Sequence, residues 1–236
     1  LYGFREVKLK MGRDSVGTAA RLARALMGRA SVVRVDANMA WDRSEARQNL
    51  RALERAGIRC IEQPLDAHDL NGMSSLVRET EAEIIADESF GDRASLERLI
   101  EHRACTGVNV RISKCGGLVA AARRCEEALC AGLTIHIGCQ VGESSLLSAA
   151  QLILISAVPQ ASCFEGCYGG HLLCADPVQP CLQLGYGGRP PRLPDGPGLA
   201  VRVDEAALNQ SIRTRVVIDQ RNAQRKEHRL CHSSPS

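Results

Sequence analysis

Three acidic residues close three strand-like runs at nearly even spacing, and this pattern constrains the fold more than any other. Val32 to Val35 leads into Asp36, Ile58 to Ile61 into Glu62, and Ile84 to Ala86 into Asp87, with gaps of 26 and 25 residues. That interval is about one strand–helix–strand unit. Carboxylates at the ends of successive parallel strands converge on one point, and converging carboxylates call for a cation. The spacing therefore predicts an α/β barrel built around a hard divalent metal.

The same unit repeats along the chain. Strands are expected over 7–10, 32–36, 59–62, 83–87, 108–112, 133–137 and 161–165. Amphipathic helices are expected between them, over 15–27, 44–56, 70–80, 94–102, 118–131 and 143–156. Asp14 or Ser15, Asp42 or Ser44, and Asp92 read as helix N-caps, and Gly57, Gly107 and Gly132 as helix ends. The alternation means a parallel sheet, and its regularity favours a closed (β/α) barrel over an open sheet. A closed barrel of this type has eight strands, but only seven are legible. The chain is therefore expected to lack its first strand–helix unit. Residues 1–208 read as a partial barrel domain. The stretch 168–197 is rich in Gly and Pro and reads as loop, with a short strand at 199–203. Residues 209–236 read as a basic, disordered tail carrying Arg213, Arg215, Arg221, Arg225, Lys226 and Arg229.

Composition narrows the function. Net charge is only +3 and aromatics are 3%, with no Lys/Arg stripe interleaved with aromatic residues, which argues against nucleic acid. No apolar run approaches the roughly 20 residues of a membrane span. The eleven cysteines are odd in number and unevenly spaced, which speaks against a disulfide framework. No Cys-x-x-Cys occurs, and the pair Cys163 and Cys167 has no His at zinc-finger spacing. A reduced, cytoplasmic protein using Cys as a small core residue is expected.

Chemistry gathers on the strand ends. Lys8 and Lys10 share one face of the first strand, and Asp36 and Asn38 share a face of the second. Two lysines aimed into a barrel need opposite charge nearby, and a desolvated Lys beside another cation can act as a base. Asp87 and Glu88 are adjacent and point opposite ways, so strand geometry admits only one as a ligand without deciding which.

These residues resemble a known family. Val7-Lys8-Leu9-Lys10, Val35-Asp36-Ala37-Asn38, Ile61-Glu62-Gln63-Pro64 and Ala86-Asp87-Glu88-Ser89 are similar to the signature of the enolase superfamily, muconate-lactonizing and mandelate racemase-like subgroup. Ser113-Lys114-Cys115-Gly116-Gly117 and Pro197-Gly198-Leu199-Ala200-Val201 extend the resemblance from about Gly3 to Asp204. It implies a Mg²⁺ ion, or Mn²⁺, held by Asp36, Glu62 and Asp87. It also implies abstraction of the proton α to a substrate carboxylate, giving a metal-stabilised enediolate. Lys10 would be the acid/base catalyst, Lys8 would contact the small-molecule carboxylate, and Asn38 and Glu165 would support substrate or site. The resemblance further implies an N-terminal capping domain outside this chain, and a homo-oligomer for the full-length parent.

The departure lies at Arg111. The subgroup places a second catalytic lysine 24 residues after Asp87, and Arg111 stands there. Arg is always protonated and makes a poor base. One-base cycloisomerisation or dehydration is therefore expected. A racemase or epimerase with two bases is the alternative, and an inactive fragment or pseudoenzyme that keeps the metal site is another. Lys114 follows three residues later and should point elsewhere, unless the strand shifts register to bring it into the place of the lost lysine. Glu143 reads as opening a helix, where favouring the helix dipole is at least as much expected as a functional role. Some relatives use a His on the strand that carries His136, paired with an Asp on the strand before it. No such Asp occurs in 108–114, so His136 is expected to be a satisfied core histidine. Gly116-Gly117 reads as a tight turn.

Overall fold

The computed structural model of the chain describes residues 3–12, 16–26, 32–193 and 195–211. Seven parallel strands form one sheet in sequential order: β1 (Glu6–Lys10), β2 (Val32–Asp36), β3 (Cys60–Glu62), β4 (Glu83–Ala86), β5 (Gly107–Val110), β6 (Thr134–Ile137) and β7 (Cys163–Phe164). Helices α1 (Val16–Leu26), α2 (Arg43–Arg55), α3 (Leu70–Glu79) and α4 (Arg93–His102) follow the first four strands. A single turn α5 (Ile112–Cys115) and α6 (Leu118–Cys130) follow β5, and α7 (Ser145–Ala157) follows β6.

The sheet curls on itself. Among the described residues no ladder joins β7 to β1, yet Glu165, just past β7, reaches Lys8 on β1 at 2.8 Å. A cleft of about 450 Å³ lies between these two edges, walled by Phe4, Arg34, Cys163, Phe164 and Gly188 among others. The fold is thus a seven-stranded, open (β/α) barrel. Its core is aliphatic, as buried parallel strands require: Leu53, Ile58, Ile61, Ile84, Ile85, Leu99 and Ile135 are almost wholly buried.

Local sequence explains most element ends. Asp42 caps α2 in a reciprocal box with Glu45, and Asp92 caps α4 with Ser95. The caps expected at Asp14 and Ser15 lie outside the described residues. Gly57 and Gly132 follow α2 and α6 with positive φ, as helix-terminating glycines do. Gly107 departs from that expectation: it opens β5, and Arg103, at φ 49°, ends α4 instead. Glycine is needed at 107 because a Cβ would collide with the Thr134 side chain.

Two more elements depart from expectation. β5 stops at Val110, and the chain winds into α5 where extended structure was expected. Within the Gly/Pro-rich stretch expected to be loop, Val178–Gln179 forms a strand, β8, which pairs antiparallel with β9 (Arg202–Val203), inside the short strand expected over 199–203, and α8 (Glu205–Ser211) follows. Leu182 packs with Ala149, Leu152 and Cys167 and so anchors that segment on α7. The basic tail beyond Ser211 lies outside the described residues. No helix among the described residues is long and apolar enough to cross a membrane.

Candidate active site

The ladders align the strand ends that carry chemistry. Lys10 stands opposite Asp36, and Asp36 opposite Glu62. Asp36, Glu62 and Asp87 are 0%, 1% and 1% exposed. After these strands the backbone turns abruptly, with positive φ at Asn38, Met39 and Gln63. Such conformations are costly for residues other than glycine and concentrate at functional sites. Gln63 is fully buried and organises the next loop. Its Oε1 accepts from the Asp87 amide at 2.9 Å and the Ser89 amide at 3.2 Å, and its Nε2 donates to Leu65 O and Ser89 Oγ.

Four cations surround the three carboxylates. Lys8 Nζ donates to Glu165 Oε2 at 2.8 Å and Glu62 Oε2 at 3.2 Å, and lies 3.5 Å from Asp36 Oδ2. Lys10 Nζ donates to Asp36 Oδ2 at 2.7 Å and Asn38 Oδ1 at 2.8 Å. Arg111 Nη2 pairs with Asp87 Oδ2 and stands 3.9 Å from Glu62 Oε1. Lys114 Nζ pairs with Asp87 Oδ1 and donates to Asp87 O at 2.6 Å. Asn109 Nδ2 adds a bond to Glu62 Oε1 at 2.7 Å. Of the neighbouring acids, Asp87 faces this cluster, while Glu88 Oε1 accepts from Asn38 Nδ2 at 3.2 Å.

The structure brings Lys8, Lys10, Asp36, Asn38, Glu62, Asp87, Arg111 and Glu165 to one end of the sheet. It corrects the expectation for Lys114, which reaches Asp87 without any register shift. The turn α5 places positions 111 and 114 one above the other, since residues three apart share a helix face. Glu143 is also corrected. Helix α7 begins at Ser145, and the Glu143 carboxylate instead accepts from the Gln140 amide at 2.7 Å and from Gln151 Nε2 at 2.9 Å. Arg34, Asn109 and Gln63 were not among the expected site residues. Arg34 and Asn109 stand two residues before Asp36 and Arg111, so strand alternation carries the signal for both.

The electrostatics follow from burial and pairing. Burial raises the Glu62 carboxyl to about 7, with repulsion from Asp36, Glu165 and Asp87 adding to it and Lys8 opposing it. Burial would also raise Glu165, but Lys8 and Arg34 together hold it below its ordinary value. Burial pushes His136 down to about 4, and Arg34 adds to this. His136 is buried, and its contact to Arg34 Nη1 is long, at 3.5 Å.

The donor set fits a hard divalent cation. Mg²⁺ and Mn²⁺ take carboxylate oxygen, and three buried carboxylates, one of them strongly disfavoured in its charged form, are relieved by added positive charge. The acidic trio is spread wider than a coordination shell. Among the described residues, the metal-capable group whose ligand atoms all lie within 4.8 Å of one another is Cys60, Glu83 and His136. The oxygens of Asp36, Glu62 and Asp87 are drawn instead onto Lys8, Lys10, Arg111 and Lys114. A pocket of about 510 Å³ opens beside the cluster, walled by Lys10, Arg111, Gln140, Val141, Tyr168 and Leu172 among others.

A curled parallel sheet with paired acids and lysines at its strand ends defines an α/β-barrel protein with a polar site at the barrel mouth. The family model described as "Enolase C-terminal domain-like" matches residues 1–207, and the chain belongs to that family. It is 35% identical over 147 residues to an L-Ala-D/L-amino acid epimerase of Maribacter sp., covering 62% of this chain and 42% of that protein. It is 29% identical over 219 residues to a chloromuconate cycloisomerase of Cupriavidus pinatubonensis, covering 87% and 55%. Among solved structures, the muconate lactonizing enzyme from Pseudomonas putida superposes with a TM-score of 0.80 at 29% identity, over 89% of this chain and 58% of that one. The chain spans about half the length of these curated relatives.

Proposed function

We propose that this chain carries the active site of an isomerase or lyase that removes the proton α to the carboxylate of a small-molecule substrate, with Lys10 as its one base. The arrangement of Lys10 and Arg111 carries the reading. Lys10 ends in an amine whose side chain is 59% exposed toward the pocket and is steadied by Asp36 and Asn38. Arg111 presents a group that stays charged. Lys10 would take the α-proton. Lys8 and Arg111 would hold the substrate carboxylate and offset the charge that develops on it. Asp36, Glu62 and Asp87 would hold Mg²⁺, which when bound supplies further positive charge for that carboxylate. Cycloisomerisation, the activity named for the Cupriavidus relative, can run with one base and suits this set.

Epimerisation is a second reading, supported by the Maribacter relative and by Lys114, a second amine that reaches Asp87. One experiment separates the two. The chain is loaded with Mg²⁺ and incubated with both enantiomers of α-substituted carboxylates in D₂O, and deuterium uptake and stereochemistry are followed. Exchange of one enantiomer supports the one-base reading, and racemisation of both supports the epimerase. Mn²⁺ binding without exchange would overturn the catalytic proposal and leave a metal-holding fragment. Absence of both would overturn the metal-site assignment as well.

A further inference from the structure

We propose that Cys60, Glu83 and His136 form a separate metal site, of the zinc-preferring class, inside the barrel at the N-terminal side of the acidic cluster. One ligand atom from each lies within 4.8 Å of the others. Cys60 and Glu83 open β3 and β4 and stand directly opposite each other in the ladder. His136 joins them from β6, and its own ladder neighbour on β7 is Cys163, a further thiol within the same interior. Thiol sulfur, carboxylate oxygen and imidazole nitrogen make up a zinc-type donor set. Mg²⁺ prefers oxygen alone, so the two sites differ in the ion they select.

The surroundings favour a ligand role. Barrel interiors at this level are ordinarily filled by branched apolar side chains, and polar groups placed there are costly unless satisfied. Among the described residues, neither the Glu83 carboxylate nor the Cys60 thiol makes a hydrogen bond or ion pair, and His136 has only its 3.5 Å contact to Arg34. Arg34 would oppose a cation, but its guanidinium is engaged by Glu165 at 2.9 Å. Cys60 and His136 are buried while Glu83 is partly exposed, which leaves a route for the ion from the barrel floor. Bound there, the ion would tie β3 and β4 to β6 across a sheet whose β1 and β7 edges share no ladder among the described residues. The role is structural and independent of the proposed reaction.

The test uses the whole chain, stripped with a chelator and titrated with Co²⁺. Binding is expected to produce a thiolate-to-cobalt charge-transfer absorption that saturates at one ion per chain and is abolished by excess Zn²⁺. In Asp36→Asn, whose acidic cluster is disabled, Zn²⁺ but not Mg²⁺ should raise the thermal midpoint, because a ligand bound only by the folded state stabilises it. Cys60→Ser and His136→Gln should each remove the band, while Asp36→Asn in the acidic cluster should keep it. Should either variant fail to fold, Glu83→Gln at its partly exposed position serves instead, with an expected loss of about 10-fold or more in Co²⁺ affinity. Absence of the band, or its survival undiminished in the folded variants, overturns the proposal. Loss of Mg²⁺-dependent exchange in Asp36→Asn with the band intact would separate this site from the active site.

Discussion

Arg111 lies against Asp87: its Nη2 pairs with Asp87 Oδ2, and the same nitrogen stands 3.9 Å from Glu62 Oε1. A permanent cation thus occupies the place where the resemblance would put a titratable amine. Arg111→Lys should supply the missing base. Deuterium exchange should then appear at the enantiomer that Lys10 does not serve, rising by about 10²-fold or more, the low end of what a positioned base contributes. The check is deuterium uptake by both enantiomers, measured by NMR. Equal exchange of both by the unmodified chain would contradict the role given to Arg111.

Removing Lys10 should separate chemistry from metal binding. Its amine bridges Asp36 Oδ2 and Asn38 Oδ1, and Lys10→Ala leaves the three carboxylates intact. Exchange should fall by about 10²- to 10⁴-fold. Mn²⁺ binding, followed by electron paramagnetic resonance, should persist. Lys10→Arg should not restore exchange, because a guanidinium does not give up its proton.

The acidic trio was legible because a parallel strand repeat fixes where successive C-terminal ends fall, and strand ladders then align Asp36 with Glu62. The aliphatic core followed from composition and the periodicity of the helices. Lys114 was not legible, because alternation along a strand holds only while the strand lasts. Once the chain enters α5 the relevant period is that of a helix, and Arg111 and Lys114 come to the same carboxylate. Nothing in a two-residue strand such as β8 distinguishes it from the loop around it. The Cys60, Glu83 and His136 group was equally hidden: its members are 23 and 53 residues apart, and only the closing of the sheet brings them together.

Glu165 should leave a signature in the acid limb of stability. Lys8 and Arg34 hold its carboxyl below the ordinary 4.5 despite its burial. An acid with a depressed folded pKa adds stability that is full above its unfolded value and is lost as pH falls through the folded one. Glu62, raised to about 7, acts in the opposite sense between 4.5 and 7, where it makes stability fall as pH rises. The Glu165 contribution is therefore read below pH 4.5, in urea titrations of the metal-free chain. Glu165→Gln should flatten that limb. At neutral pH it should cost about 3 kcal/mol, the low end for breaking a buried ion pair, since Arg34 would lose its carboxylate while Lys8 keeps Glu62 and Asp36.

Gln63 offers the sharpest test of how the loop after β3 is built. Its carboxamide holds the Asp87 and Ser89 amides, and its backbone sits at φ 35°. Gln63→Ala removes the acceptor and keeps an unfavourable backbone, so about 3 kcal/mol of stability should be lost as buried amides go unpaired. Gln63→Gly loses the same hydrogen bonds but suits the left-handed conformation. It should therefore be more stable than the alanine variant by about 1 kcal/mol, the reverse of the usual order. Both should weaken Mn²⁺ binding, because Asp87 loses the contact that fixes its amide. Equilibrium unfolding together with metal titration reads both effects. An alanine variant at least as stable as the glycine one would show that the turn at Gln63 is not held under strain.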